Sequence, residues 1–218
     1  MTIIDDNGHI KGVIFDLDGT LIDSYEAIYQ GFHHAYTKMG FRPLSYDQVK
    51  KQVGHSLEYI FRELLGEQYI QPAIILFRQR YEEVFRTHTH LLPNAADVVK
   101  AIYDKGIKLA VATNKLGKSS RAILEHLQLS NFFSAIIGEG DGTRNKPDPE
   151  MLYLAIEKMA IPKDNAIMVG DSTIDIQAAH NARIRVYAVA SGMTSREELA
   201  ESRPTEVITS LNHLLKYI

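Results

Sequence analysis

The sequence predicts an α/β protein built on a parallel, doubly wound sheet, with a helical segment inserted after the first strand. Short apolar runs that are typical of buried strands alternate with stretches of helical periodicity, and this alternation indicates a parallel sheet. The first two runs lie much farther apart than the roughly 30 residues of a βαβ unit, which indicates the insertion. With 218 residues, 45% hydrophobic and 23% charged, the chain can form a full core.

The expected strands are near-continuous apolar runs, as strands covered on both faces should be. Helical patterns separate them: one follows Pro93, one carries Ala122 and Ile123, and one begins at Asp148-Pro149, with Asp148 as N-cap and Pro149 in the first helical position. The result is a Rossmann-like core with an edge strand and a closing helix near its end. The expected strands span residues 12–17, 108–113, 135–138, 166–170, 186–190 and 206–208.

The surplus residues between the first two strands have apolar side chains at helical spacing, for example Tyr25, Ile28 and Phe32. We therefore expect residues 1–23 and 91–218 to form the α/β core domain and residues 24–90 to form a separate helical domain. An insertion at this point lies over the carboxyl ends of the strands, where such sheets bind ligands. The segment is expected to act as a lid.

Composition excludes several classes of protein. The chain has 24 basic and 27 acidic residues, and this balance argues against a general nucleic-acid binder. It has no cysteine, which excludes disulfides, a thiolate zinc site and a cysteine nucleophile. The N-terminus lacks the features of a signal peptide, and no apolar run is long enough to span a membrane. We expect a cytoplasmic protein that binds neither nucleic acid nor membrane, as a monomer or homodimer.

Four short motifs follow the predicted strands. Asp16-Leu17-Asp18-Gly19-Thr20 ends the first strand, Thr113-Asn114 ends the second, Lys146 precedes a helix, and Gly170-Asp171 ends the fourth strand with Asp175 close behind. Each has an ordinary structural reading, such as a solvated acidic turn, a helix cap or a surface lysine; Ser172 and Asp175 could simply form a capping box. Together, at the carboxyl ends of parallel strands, they predict one site.

Charge arithmetic indicates what this site would bind. A phosphate monoester carries about two negative charges, and Asp16 with Asp171 would add two more. Such a cluster needs cations, and Mg²⁺ together with Lys146 would supply three positive charges. Mg²⁺ prefers oxygen ligands and typically binds one or two carboxylates together with substrate phosphate.

The ordered motifs Phe-Asp-Leu-Asp-Gly-Thr, Ala-Thr-Asn-Lys, Lys-Pro-Asp-Pro and Val-Gly-Asp-Ser-Thr-Ile-Asp resemble those of the haloacid dehalogenase superfamily. The closer similarity is to its phosphoglycolate phosphatase-like branch, whose members carry a helical cap. The resemblance covers residues 12 to about 210 and implies a Mg²⁺-dependent phosphatase for a small phosphorylated metabolite, with 2-phosphoglycolate as one candidate. Asp18 stands where haloacid dehalogenases proper have Tyr, which favours phosphate over carbon–halogen chemistry.

The resemblance also implies roles for individual residues. Asp16 would be the nucleophile that forms an aspartyl-phosphate, Asp18 the general acid and base, and Lys146 the cation that holds Asp16 and the phosphate in register. The substrate-binding residues would be Gly19, Thr20, Thr113, Asn114 and, from a loop of the cap, His55, although His55 could equally be a surface histidine. The metal ligands would be Asp16, the backbone carbonyl of Asp18, Asp171 and, directly or from nearby, Asp175.

Several alternatives stay open. A phosphomutase similar to β-phosphoglucomutase, or a pyrophosphatase of the same superfamily, would share the core; mutases have Arg in the cap loop near the position of Leu57, which disfavours the first. A non-enzymatic aspartyl-phosphate switch would use similar residues but would need neither the insertion nor Asp18. Two positions depart from the family pattern: Asn94 replaces a common Gly, and Arg183 replaces a helix-ending Gly, so we expect the helix to end earlier, at Asn181.

Overall fold

Strands and helices alternate along most of the chain, as the sequence predicts. The computed structural model describes residues 9–218; the first eight residues, on which the expectation of no signal peptide partly rests, lie outside the described part. The strands are β1 (Gly12–Phe15), β2 (Ile22–Asp23), β3 (His90–Leu91), β4 (Lys108–Leu116), β5 (Ala135–Glu139), β6 (Ala166–Gly170), β7 (Arg185–Val189) and β8 (Glu206–Ile208). The helices are α1 (Tyr25–Lys38), α2 (Tyr46–Lys50), α3 (Leu57–Leu65), α4 (Ile70–His88), α5 (Ala95–Asp104), α6 (Gly117–His126), α7 (Glu150–Met159), α8 (Thr173–Ala182) and α9 (Arg196–Glu201), and a 3₁₀ helix (Leu211–Lys216) closes the chain.

Six strands form one parallel sheet in the order β5-β4-β1-β6-β7-β8. Alternate residues of β1 face opposite layers, because side chains in a strand alternate in direction. Val13 and Phe15 join the core formed with α5 and α6, whereas Ile14 joins the core formed with α7, α8 and α9. The sheet is covered on both faces, which confirms the predicted doubly wound α/β fold.

The strand order reverses beside β1: the chain passes from β1 through β4 to β5 on one side and then returns to β6 on the other. A crevice forms at such a switch point, outside the carboxyl ends of the strands. The edge strand β8 lies where the sequence predicts it. The strand β4 continues past the predicted end at Thr113 to Leu116, and its pairing with β5 is irregular between Ala112 and Leu116.

Residues 25–88 contain the four helices α1 to α4, which we call the helical insert. The short strands β2 and β3 pair antiparallel on either side of it, so the chain enters and leaves the insert at neighbouring positions. An aromatic cluster packs its interior: the ring of Phe32 lies 5.1 Å from that of Phe61 and 5.0 Å from that of Phe77, measured between centroids. These rings belong to the same buried cluster as side chains of β1, α5 and α6, so the apolar interior of the insert is continuous with that layer of the core. No helix in the described part is both long and apolar enough to cross a membrane.

Two helix boundaries differ from the sequence-based expectation. The helix α7 begins at Glu150, one residue after the predicted start at Pro149, although Asp148 Oδ1 still accepts a hydrogen bond from the Glu150 backbone N–H at 3.1 Å. The expected early end of α8 at Asn181 is wrong, since the helix continues to Ala182 and Arg183 adopts the left-handed conformation with φ of 56°. The backbone N–H of Ile184 bonds to the carbonyl of Ala179 at 3.0 Å. Asn94 is also left-handed, with φ of 65°, as its residue type permits.

We predict that Arg183→Gly stabilises the protein by about 0.5–1 kcal/mol, because glycine removes the steric cost of the left-handed conformation and loses only part of that gain to backbone entropy. Urea denaturation would measure the change in the free energy of unfolding. The control is Arg183→Ala, which keeps a Cβ and should leave the stability nearly unchanged. Equal stabilisation by both variants would contradict this explanation.

Candidate active site

The predicted site residues meet at the carboxyl ends of the strands. Asp16 follows β1 directly, and its backbone N–H continues the ladder to the Val169 carbonyl of β6 at 2.8 Å. Asp171 directly follows the last residue of β6, Gly170. Both residues are 6% exposed, because the buried strands that precede them end in the crevice. The structure thus brings together residues that are distant in the sequence.

Lys146 connects two carboxylates of the cluster. Its ammonium nitrogen lies 2.6 Å from Asp16 Oδ1 and 2.6 Å from Asp175 Oδ1, and its side chain is 1% exposed. The other oxygen of Asp175 accepts hydrogen bonds from the hydroxyl of Ser172 at 2.6 Å and from its backbone N–H at 3.1 Å. The capping box of Ser172 and Asp175 is therefore present, and the same carboxylate also holds Lys146.

Oxygen atoms of Asp16, Asp171 and Asp175 lie within 4.8 Å of one another. Thr20 donates a hydrogen bond from its hydroxyl to Asp171 Oδ1 at 2.9 Å. The second oxygens of Asp16 and Asp171 receive no hydrogen bond from the described part of the chain. Three buried carboxylates with one lysine leave excess negative charge, and hard oxygen ligands of this kind fit Mg²⁺.

Burial has a clear effect on the ionisation of this cluster. Desolvation raises the pKa of Asp16 to about 7, although the nearby Lys146 ammonium opposes the shift. Desolvation, together with the charge of Asp16, also raises the pKa of Asp171 well above its usual value. For Lys146, burial lowers the pKa, but Asp16 and Asp175 raise it more, so the group stays cationic. In the metal-free protein, the carboxyl groups of Asp16 and Asp171 therefore bind protons more readily than exposed carboxyl groups do.

Asn114 links three segments of the chain. Its side-chain NH₂ donates to the carbonyls of Gly54 and Lys146, each at 2.9 Å, and its carbonyl oxygen accepts from the Lys146 backbone N–H at 2.8 Å. Both side-chain hydrogens are thus in use, so a phosphoryl contact from Asn114 would have to come from its backbone N–H. Thr113 is buried beside it, and its hydroxyl oxygen accepts from the Lys115 backbone N–H at 3.2 Å.

Two glycines crowd Asp171. Gly19 has φ of +87°, and a Cβ there would lie 2.4 Å from Asp171 Oδ2; a Cβ at Gly192 would lie 1.7 Å from the same oxygen. These distances are shorter than real contacts, so side chains cannot be accommodated unless the carboxylate moves. Ser191 ties the two segments together, because its hydroxyl donates to the Gly19 carbonyl at 2.7 Å. Gly19 therefore serves the close approach of the backbone to the site.

A cavity opens between this cluster and the helical insert. Its volume is about 70 Å³, enough for roughly five water-sized groups. Its wall contains Asp16, Asp18 and Thr113 from the core and His55 from the insert. The imidazole of His55 stacks on the Tyr59 ring at 4.6 Å between centroids, and burial lowers the pKa of His55.

Sequence reasoning assigned no role to three charged side chains in the cavity wall: Arg78, Lys115 and Glu139. Arg78, on α4, lies 3.3 Å from Glu139 at the end of β5 and so connects the insert to the core. No local pattern marks this pair, which depends on how α4 packs. Lys115 could have been found, since it lies two residues after Thr113 in a strand and such residues share a face.

Comparisons with known proteins agree with this geometry. The sequence pattern of the haloacid dehalogenase-like hydrolase family matches residues 13–189. The chain belongs to this family. It is 31% identical over 216 residues to the phosphoglycolate phosphatase of Aliivibrio fischeri, covering 94% of this chain and 95% of that protein. A Caldanaerobacter subterraneus protein, named a candidate pyrophosphatase, PpaX, is 29% identical over 210 residues, covering 96% and 94% of the two chains.

Solved structures show the same fold. A crystal structure described as a predicted phosphatase from Clostridium acetobutylicum superposes with a TM-score of 0.89 at 29% identity, covering 96% of this chain and 98% of that one. The family and its relatives identify this hydrolase as a phosphatase.

We predict that the metal-free protein loses stability as the pH rises from about 5 to 8. The folded-state pKa of Asp16, about 7 against an ordinary value of 3.8, means that the folded protein binds a proton more tightly than the unfolded chain does. That contribution is complete below pH 4 and is lost as the pH rises through 7. Thermal unfolding in EDTA would measure it, with Asp16→Asn as the control that removes this titration. An identical pH dependence in both proteins would contradict the prediction.

Proposed function

We propose that the protein is a Mg²⁺-dependent phosphatase that hydrolyses small phosphate monoesters through an aspartyl-phosphate on Asp16. The observation that carries this proposal is the arrangement of Asp16: one oxygen is held by Lys146 at 2.6 Å, while the other receives no hydrogen bond from the described residues and belongs to a side chain in the cavity wall. A carboxylate that is fixed on one side and unhindered on the other is suited to attack an electrophile.

The acidic cluster supports the choice of metal. Asp171 offers an oxygen without a hydrogen-bond donor, and Asp16 would bind the metal through the oxygen that does not attack phosphorus. The Asp18 backbone carbonyl is the third ligand that the family resemblance implies. Asp175 acts through Lys146 and Ser172, which occupy both of its oxygens. Bound Mg²⁺ would supply positive charge that offsets the carboxylates and the phosphate.

The chain's own residues then account for two displacement steps. In the first, Asp16 Oδ2 forms a bond to phosphorus while the bond to the alcohol oxygen breaks, and Asp18 gives that oxygen a proton. In the second, Asp18 takes a proton from water, which attacks the phosphorus and returns Asp16 as a free carboxylate. Lys146 keeps Asp16 in place in both steps, and Thr113 with the Asn114 backbone N–H would bind phosphoryl oxygens.

We also propose that the helical insert is a separate cap domain, residues 24–90, that selects the substrate. Its residues Ile28, Phe32 and Phe77 give the cavity an apolar wall, and Val53 to His55 form the loop above the acidic cluster. A cavity lined by both the core and the insert suits a small metabolite rather than a polymer. The phosphoglycolate phosphatases among its relatives make 2-phosphoglycolate the first substrate to test.

A second candidate function is pyrophosphate hydrolysis, which the Caldanaerobacter subterraneus relative favours. The same nucleophile would attack one phosphorus, and the second phosphate would leave in place of an alcohol. A mutase has less support, since Leu57 stands near the position where mutases have Arg. A signalling switch would retain its acyl-phosphate for minutes or longer, whereas a phosphatase releases it in each turnover.

We predict that the purified protein releases inorganic phosphate from 2-phosphoglycolate with Mg²⁺ and not with excess EDTA. Asp16→Asn should lower kcat by roughly 10³-fold or more, because it removes the nucleophile. A panel with glycerol phosphate, nucleoside monophosphates and pyrophosphate, measured by phosphate release, would identify the preferred class. The control is Asp104→Asn, a carboxylate of α5 outside the site. Activity that survives both EDTA and Asp16→Asn would overturn the proposal.

We predict that His55→Ala raises KM for the preferred substrate by roughly 10-fold with a smaller change in kcat, because the imidazole would contact the part of the substrate beyond the phosphate. Steady-state kinetics on that substrate would measure the two parameters separately. His33→Ala is the matched control, since His33 is exposed on α1, outside the cavity. Equal effects of the two substitutions would show that His55 does not contact the substrate.

A further inference from the structure

Lys115 is a nearly buried cation beside the proposed general acid. Its side chain is 9% exposed, and its ammonium nitrogen lies 3.0 Å from Asp18 Oδ2. The other oxygen of Asp18 accepts a hydrogen bond from the hydroxyl of Ser24, a side chain that is almost completely buried. Fixed donors therefore hold both oxygens of Asp18, and each oxygen keeps a second lone-pair position that can carry the proton of the acid form.

The helical insert provides the other side of this contact. The Lys115 ammonium lies 4.7 Å from the centroid of the Tyr81 ring, which belongs to α4. A cation over an aromatic face is stabilised by the negative charge of that face. Lys115 is thus enclosed between a carboxylate of the core and an aromatic ring of the insert.

Stability alone does not account for a lysine at this position. Moving an ammonium group out of water is costly, and a buried ion pair often contributes no more stability than apolar side chains of similar size. The two lysines of the site contact different carboxylates: Lys146 contacts Asp16, whereas Lys115 contacts Asp18. Each of the two carboxylates with a proposed chemical role therefore has its own cation.

We propose that Lys115 is a positioning residue that holds the Asp18 carboxyl group where it delivers the proton to the leaving oxygen. The Tyr81 ring of the insert packs against the Lys115 ammonium and keeps it in this position. This inference rests on the proposed function. Without Lys115, Ser24 would be the only described residue whose side chain restrains the Asp18 carboxyl group, which could then rotate away from the leaving oxygen. Attack by Asp16 would be unaffected, since its contacts to Lys146 do not involve Lys115.

The test compares two leaving groups. A leaving alkoxide is strongly basic and needs a proton from Asp18, whereas p-nitrophenolate is weakly basic and departs without one. We expect Lys115→Met to lower kcat/KM for 2-phosphoglycolate, or for the best alkyl phosphate of the panel, by roughly 10²-fold or more. For p-nitrophenyl phosphate we expect a loss of less than about 10-fold. The kcat/KM ratio is the informative parameter, because it covers the steps through departure of the leaving group.

Three further variants make the result specific. Ser24→Ala removes the other partner of Asp18 with a minimal change of volume, so it should show the same dependence on the leaving group and carries the test if Lys115→Met does not fold. Lys115→Arg should recover part of the activity on the alkyl phosphate. Lys100→Met is the matched control, because Lys100 is exposed on α5 and paired with Asp104.

Equal losses on both substrates, or no loss on either, would overturn the inference, since a merely structural role would not distinguish leaving groups. An Asp18→Asn variant without this dependence would overturn it as well. Failure of the proposed function looks different: the wild-type protein would release phosphate from neither substrate, and the inference would fail with it.

Discussion

The contact of one ammonium group with two carboxylates holds this site together. Lys146 Nζ lies 2.6 Å from both Asp16 and Asp175, in a region where three acidic side chains are almost completely removed from water. Unpaired, these charges would repel one another and would each lose their hydration. With Lys146 in place the cluster can exist in the folded protein, and enough negative charge remains to attract a divalent cation.

The position of Lys146 depends in turn on the backbone. Its loop has little regular structure, yet Asn114 fixes it by hydrogen bonds to both its N–H and its carbonyl. The same amide reaches the Gly54 carbonyl of the helical insert. A single side chain of β4 therefore connects the lysine, the sheet and the insert by hydrogen bonds. A shift of the insert loop would move this amide and, with it, the backbone of Lys146.

Much of this arrangement could be predicted from the sequence. The buried apolar runs define the strands, and the carboxyl ends of parallel strands lie at one edge. The sequence therefore predicts that Asp16, Asn114, Lys146 and Asp171 lie close together. Contacts across elements were not predictable, because the pairing of Arg78 with Glu139 depends on the packing of α4. The end of α8 could not be predicted for a similar reason, because Arg183 adopts a left-handed conformation that local preference disfavours.

The crowding around Asp171 has a consequence for how this protein can vary. Position 192 lacks a side chain that could take part in chemistry, yet a single methyl group there would occupy the place of a carboxylate oxygen. A mutational scan would find position 192 as sensitive to substitution as the reactive residues, although Gly192 contributes only the space that the Asp171 carboxylate occupies. Loss of activity at this position would report excluded volume, and the variant would be a useful example of an enzyme inactivated without the removal of any functional group.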